Sequence, residues 1–380
     1  TNDKVLDEKL NHSKVGYIGF DCTTDCLHVG SLLPLMLLRS FQKFGHTPII
    51  LLGGGTTLVG DPSGKDETRK ILSEDDINNN KKKLKKIFER FLSFTSSNKA
   101  KIVDNYEWLI NLNYISFLRE IGSKFSVNKM LSLESIKQRL GREQNLSFLE
   151  FNYSLLQAYD FLELQKRYNC EIQFGGSDQW GNIVSGIDLV RKFSQKEVFG
   201  VTTPLVTTSN GKKMGKTEDG AIWLSEEKLD VNQFWQFWRN TSDKDVINFL
   251  YLFTEIEDQQ IEEFKKLEGS ELNEVKILLA NEVTKLCHND EKSKKAEKEA
   301  ESILTAESFD VQILKDSKNK ITYNITQIEN GLSLKQSLLE LKFCKSNGEA
   351  KRLIDQGAVK INKEVVKDKD FIFTKKDFLE

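Results

Sequence analysis

Apolar and polar positions follow two rhythms along the first 225 residues. Short apolar runs stand at 15–20, 48–52, 101–103 and 171–174. Runs of this length, bounded by turn residues, predict buried strands. Between them lie longer segments with apolar positions at helical spacing: 27–44, ended by Gly45, then 74–95, 146–168 and 179–193. Strands alternating with helices predict an α/β fold, a parallel sheet with helices on both faces. Ligands of such folds sit at the carboxyl ends of the strands, and the glycine-rich and polar loops of this chain all follow strands. From 226 to 305 the pattern is helical, with aromatics clustered at Phe234, Trp235, Phe237 and Trp238. The stretch 288–301 is almost wholly charged, with mixed signs, and predicts a solvated helix face. Residues 306–330 are polar and predict a linker, after which 331–380 form a small α+β unit.

Composition narrows this picture in three ways. A chain of 380 residues exceeds one small core, so two or three domains are expected. Lys and Arg number 55 against 57 Asp and Glu, so any nucleic-acid contact must come from a local patch rather than overall charge. The five cysteines are scattered and odd in number, which predicts no disulfide framework and a reducing cytoplasm. Cys22, Cys26 and His28 lack a fourth ligand at metal-site spacing, so no metal site is expected. The apolar run at 32–38 is broken by Pro34 and is far shorter than the roughly 20 residues a membrane span needs, so no membrane association is expected. No signal peptide is read at the start.

Four motifs carry candidate chemistry. The first is His28-Val29-Gly30-Ser31, where a strand gives way to a helix. A helix N-terminus offers unpaired N–H groups and partial positive charge to a polyphosphate. Imidazole can add a donor, and Gly30 admits a nucleotide to the backbone. Alone, this short motif fits a structural histidine equally well. The second is Gly53-Gly54-Gly55-Thr56-Thr57-Leu58-Val59-Gly60-Asp61-Pro62-Ser63-Gly64-Lys65. It is not a Walker loop, since Val59 and Asp66 stand where Gly and Ser or Thr belong. Its length and the charged Asp61, Lys65, Asp66 and Arg69 favour a binding loop over a plain turn. In the third, Tyr153, Gln157 and Asp160 lie at i, i+4 and i+7 and share one helix face. Three polar groups on that stripe point to a small polar ligand, or else to a polar network between helices. The fourth is Lys213-Met214-Gly215-Lys216-Thr217, in a glycine-flanked loop with residue types that handle phosphate.

In these residues the chain resembles the bacterial-type tyrosyl-tRNA synthetases, class I aminoacyl-tRNA synthetases, over nearly its whole length. Tyr17-Ile18-Gly19-Phe20-Asp21, Gly60 to Lys65, the Tyr153–Asp160 stripe and Gly175-Gly176-Ser177-Asp178-Gln179-Trp180-Gly181-Asn182 carry the likeness. The first motif is similar to the HIGH motif of class I enzymes, and Lys213 to Thr217 to their KMSKS motif. The resemblance implies a Rossmann-type catalytic domain over 1–225, an α-helical domain over 226–305, a linker over 306–330 and an S4-like RNA-binding domain over 331–380. It implies ATP-dependent activation of L-tyrosine to tyrosyl-adenylate, with Mg2+ accompanying ATP, and transfer to tRNA(Tyr). The nearest rivals are a tryptophanyl-tRNA synthetase and a small-substrate nucleotidyltransferase. A homodimer is also implied.

Site roles follow from the same resemblance. Thr23, His28, Lys65, Arg69, Lys213 and Lys216 are expected to handle the phosphates. Tyr17 and Asp160 are expected to read the phenol. Asp61, Tyr153 and Gln157 would take the ammonium, with Gln173 and Gln179 placing the substrate. Gly19, Asp21, Gly30, Asp178 and Thr217 would complete the nucleotide site, Asp178 at the ribose. Three positions depart from the pattern. Cys22 replaces a usual Pro, Ile18 stands where some relatives carry a ribose-binding Cys, and Ser31 replaces the final His or Asn of the first motif. The start is shorter than the family pattern, so an N-terminal helix is expected to be missing. Residues 331–376 resemble the S4 domain through Ser346 to Asn362, and 342–376 carry ten basic against five acidic residues. That excess suits a phosphate backbone.

Overall fold

The computed structural model describes residues 3–60, 72–143, 146–209, 211, 214–217, 220–305, 321–341, 343–362 and 364–378; at 3, 135, 216, 217 and 303–305 it describes the backbone only. Two compact units are present, Thr1–Ala300 and Glu301–Glu380. The expected boundary at 225 falls inside the first unit, whose largest apolar cluster runs from Leu6 to Ala296.

The first unit is built on five strands: β1 Val15–Asp21, β2 Thr47–Gly53, β3 Lys101–Asp104, β4 Ile172–Gly176 and β5 Phe199–Thr203. They run in the order β3-β2-β1-β4-β5, and every pairing is parallel. Four of these were expected. β5 was not, because Phe-Gly-Val-Thr-Thr is a single short edge run with a glycine inside it. The order reverses direction between β1 and β4, and that switch opens a crevice at the carboxyl ends of the strands. Register places Tyr17 of β1 beside Gln173 of β4.

Several helices depart from the expected bounds for local reasons. A helix over Asp3–Leu10 precedes β1, where no helix was anticipated. The expected helix over 27–44 begins only at Leu32. Residues 27–29 are held instead by backbone bonds to the segment after the fourth motif: the Val29 N–H donates to the Ile222 carbonyl at 2.9 Å, and the Leu224 N–H to the Leu27 carbonyl at 2.9 Å. Pro34 then falls in the first helical turn, where its missing N–H costs nothing. The helix Glu74–Phe91 starts on a Ser73–Asp76 capping box. The expected helix over 146–168 is interrupted at Asn152, giving Phe148–Phe151 and Tyr153–Tyr168. The latter ends on Asn169 in the left-handed region, φ 53°.

Beyond residue 225 the first unit is helical: Val231–Arg239, Asp243–Phe253, Asp258–Phe264, Leu272–Cys287 and the helix Asp290–Thr305, which runs on past Ala300. The aromatic run packs inward, with Trp238 edge-on to Phe234, Phe249 and Phe253. A two-stranded hairpin, β6 Lys216–Thr217 and β7 Gly220–Ala221, precedes them. The second unit has helices Ile325–Glu329, Leu334–Glu340 and Asn347–Asp355 and a hairpin of β8 Lys360–Ile361 and β9 Glu364–Val365. Leu334, Leu338, Cys344, Ala350, Ile354, Val359 and Val366 form its core.

Candidate active site

A crevice of ≈ 300 Å³ lies at the β1–β4 switch, lined from β1, β2, β4 and the helix Tyr153–Tyr168. Most of the residues singled out from sequence meet there. Tyr17, Gly19, Asp21, Thr23, Gly30, Tyr153, Gln157, Asp160, Gln173 and Gln179 all line it. The i, i+4, i+7 stripe does face this crevice. Asp178 instead sits on the exposed turn Ser177–Gln179 beyond β4, its carboxylate over Gly176. Asp61, Lys65, Arg69 and Lys213 lie outside the described residues, and Lys216 and Thr217 are described as β6 backbone alone.

At the floor, Asp160 is 2 % exposed. Its carboxylate accepts from Trp108 Nε1 at 2.8 Å and from Asn105 Nδ2 at 2.9 Å. Burial pushes the Asp160 pKa up to about 8; the two donors pull it down, and the charges of Asp21 and Asp104 push it further up. Beside it Tyr17 is 1 % exposed, and its hydroxyl has no hydrogen-bond partner among the described residues. Burial, and then Asp160, hold that phenol well above its ordinary range. The Gln173 side-chain oxygen is likewise buried without a partner. Buried polar atoms are normally bonded, so an orphaned hydroxyl on a residue that lines the crevice points to a polar ligand.

A second layer holds these groups. Asn105 Nδ2 also donates to Thr56 Oγ1 at 3.0 Å, and Thr56 Oγ1 to Asp21 at 2.9 Å. The Tyr153 hydroxyl reaches both Asp21 oxygens, at 3.3 and 3.2 Å. Thr56, Asn105 and Trp108 were not anticipated. Asn105 follows directly on β3, at the carboxyl edge where ligand loops gather, and that position was the available signal.

The part around Gly19, His28 and Gly30 is built on close backbone approach. Gly19 lines the crevice, and a Cβ added there would meet no atom within 4 Å, so any side chain would stand in the crevice itself. His28 caps the short turn Val29–Ser31, its Nδ1 accepting the Gly30 N–H at 3.0 Å. In the neutral ring that places the proton on Nε2. The first and fourth motifs touch through glycines. A Cβ on Gly30 would lie 3.0 Å from the Met214 carbonyl oxygen, and one on Gly215 (φ +119°) 2.7 Å from His28 Nδ1. Neither position tolerates a side chain while the motifs stay in contact.

All five cysteines are free and buried. Burial raises the Cys22 thiol to about 12, so it stays protonated rather than available as a thiolate ligand. Among the described residues no group of three His, Cys, Asp or Glu side chains is placed to hold a metal. No helix of the described residues is long and apolar enough to cross a membrane.

Comparison with known proteins agrees with this geometry. The family described as tRNA synthetases class I (W and Y) matches residues 9–305, and the S4 domain matches 334–379. The chain is 47 % identical over 376 residues to a tyrosine–tRNA ligase of Pelagibacter ubique (strain HTCC1062), covering 98 % of this chain and 90 % of that protein. It is 51 % identical over 357 residues to one from Novosphingobium aromaticivorans, covering 94 % and 85 %. Among solved structures it matches a C-terminally truncated mitochondrial tyrosyl-tRNA synthetase of Aspergillus nidulans with TM-score 0.69 and 28 % identity, over 80 % of this chain and 89 % of that one. A family model spanning most of the chain and relatives of near-complete overlap lead to one conclusion: the chain belongs to the class I tRNA synthetases, and within them to the tyrosine–tRNA ligases.

Proposed function

We propose that the crevice binds L-tyrosine with its phenol between Tyr17 and Asp160, and ATP across Gly19 and Gly30. The observation that carries this reading is the partnerless Tyr17 hydroxyl beside the doubly bonded Asp160 carboxylate. A phenolic O–H donates to Asp160 and accepts from Tyr17; a bare phenyl ring leaves the Tyr17 hydroxyl without a partner and sets hydrocarbon against the Asp160 carboxylate, which is costly in a buried site. Tyr153, Gln157 and Asp61 take the ammonium, with Gln173 and Gln179 orienting the amino acid.

The tyrosine carboxylate oxygen then attacks the α-phosphorus of ATP. A new P–O bond forms, the bond to the leaving pyrophosphate breaks, and tyrosyl-adenylate remains. No covalent enzyme nucleophile is required, so the protein's part is alignment and charge stabilisation. Thr23, His28, Lys65, Arg69, Lys213 and Lys216 supply donors to the phosphates, and Asp178 with Thr217 completes the nucleotide contacts. Mg2+ would accompany the ATP phosphates and neutralise part of their charge. In the second step a ribose hydroxyl of the tRNA(Tyr) terminal adenosine attacks the tyrosyl carbonyl and AMP departs.

Pyrophosphate exchange into ATP tests the whole reading. Exchange that depends on tyrosine supports it; exchange driven by tryptophan, or without any amino acid, points to the rival enzymes. The chain is assigned to the cytoplasm, in keeping with its free buried thiols. It is also assigned to a homodimer. Exposed apolar side chains crowd into 110–149, among them Ile115 and Phe148, each 70 % exposed. Water is a poor neighbour for so many. Sedimentation at micromolar concentration should give twice the chain mass; a monomer there refutes the dimer.

The second unit is assigned to tRNA. Lys351, Arg352, Lys360 and Lys367 are exposed on its helix Asn347–Asp355 and around its hairpin. Removing 331–380 should leave tyrosine-dependent exchange intact and reduce tRNA charging at least tenfold, on the order expected when several phosphate contacts are lost. Equal charging by the truncated chain removes this role.

A further inference from the structure

Asp245 belongs to the helical part of the first unit, which no motif assigns to the chemistry. It occupies the third position of the helix Asp243–Phe253, three residues after the N-cap Ser242, and is 8 % exposed. In a capping box a carboxylate at this position turns back to the N-cap backbone while the N-cap hydroxyl caps the helix. Here the Ser242 side chain makes no cap bond and its hydroxyl points at Asp245, at 2.8 Å. The Asp245 oxygens accept the backbone N–H of Ser209, far away in sequence, at 2.9 and 3.1 Å. The Ser209 hydroxyl adds a bond of 3.0 Å. A buried carboxylate that satisfies itself on a distant loop is holding that loop.

The held segment supports the fourth motif directly. The Val206 carbonyl accepts the Met214 N–H at 2.8 Å, and Gly215 carries the Ile222 N–H on its carbonyl at 3.2 Å. Met214 is 8 % exposed and packs into the main apolar cluster. Gly215 in turn lies against the His28 ring, and Gly30 against the Met214 carbonyl. The path therefore runs from Asp245 by hydrogen bonds to Ser209, along the chain to Val206, by a hydrogen bond to Met214, and through the close approach of Gly215 to His28.

We propose that Asp245 is a positioning residue for the ATP step: by fixing Ser209 it sets where Met214 and Gly215 stand against His28. This rests on the phosphate roles proposed above for His28 and Lys216. Among the described residues the Asp245 carboxylate bonds to Ser209 and Ser242 and to none of the crevice lining, so its effect is expected in the nucleotide half.

The test measures pyrophosphate exchange with ATP varied, and tyrosine affinity by equilibrium dialysis, for Asp245→Ala, Asp245→Asn and Lys216→Ala. Asp245→Ala is expected to lower kcat/KM for ATP on the order of tenfold, as small misplacements of reacting groups do. Its tyrosine Kd should stay within about twofold of the parent. Asp245→Asn keeps one acceptor for the Ser209 N–H and should restore part of the loss. The inference is overturned if Asp245→Ala leaves kcat/KM for ATP unchanged while Lys216→Ala lowers it. It is equally overturned if both Asp245 variants weaken tyrosine binding as much as they slow ATP use. If Lys216→Ala itself has no effect, the phosphate reading fails, and this inference fails with it.

Discussion

Asp160→Ala is expected to collapse the preference for tyrosine over phenylalanine, reducing the ratio of their kcat/KM values in pyrophosphate exchange on the order of 10²-fold. The physical reason is an asymmetry. In the parent site a phenol satisfies Asp160 and Tyr17 together, whereas phenylalanine leaves a buried carboxylate facing a hydrocarbon edge. A hydrogen bond to a buried charged group is worth about 1.5–3 kcal/mol, and each 1.36 kcal/mol is tenfold. With alanine at 160 the penalty against phenylalanine disappears along with the reward for tyrosine. Because Asn105 and Trp108 lose their acceptor, the variant should also melt lower, and the ratio is therefore the informative quantity. A preserved ratio in a folded variant would place the phenol elsewhere.

The raised Asp160 pKa adds a pH signature. Its value of about 8 lies above the ordinary 3.8. Between those values the folded chain holds a proton that the unfolded chain has released. This group therefore costs stability progressively as pH rises from about 4 to 8, and the cost is constant above 8. A phenol that donates to the ionised carboxylate favours the deprotonated form. Tyrosine affinity should then rise from pH 6 to 8 in the parent and stay flat in Asp160→Ala.

The second large effect concerns the phosphates. Lys213→Ala and Lys216→Ala should each slow tyrosyl-adenylate formation by on the order of 10²-fold or more, with tyrosine affinity little changed. Donors that act on charge developing in the transition state typically contribute this much. Loss confined to the chemical step, rather than to amino-acid binding, distinguishes them from Asp160. Single-turnover measurement of adenylate formation separates the two, and unchanged rates would remove both lysines from the reaction.

Much of this protein was legible before any coordinates. Four of the five strands of the parallel sheet, the α/β class and the polar stripe of Tyr153, Gln157 and Asp160 follow from local patterns, and the S4-like tail from its resemblance to that family. Strand and helix periodicities are properties of neighbouring residues, and side chains spaced along one helix must share a face whatever surrounds them. The boundaries were less legible. The helix start moved from 27 to Leu32 because residues 222–224 claim the backbone of 27–29, a competition between segments that no window along the chain contains.

The energetic state of the site was decided by the tertiary structure alone. Sequence names Asp160 as polar; only the packed fold buries it, and that burial raises its pKa against the pull of the Asn105 and Trp108 donors. Asn105 carries no motif of its own and meets Thr56 of the second motif because parallel register brings the ends of β2 and β3 to the same edge. The contact of His28 with Gly215, and the hold of Asp245 on Ser209, join parts of the chain that are remote in sequence. Local preference determines which elements form. Desolvation, orphaned polar atoms and long-range bonds exist only once those elements are packed, because each depends on what the fold has removed from water.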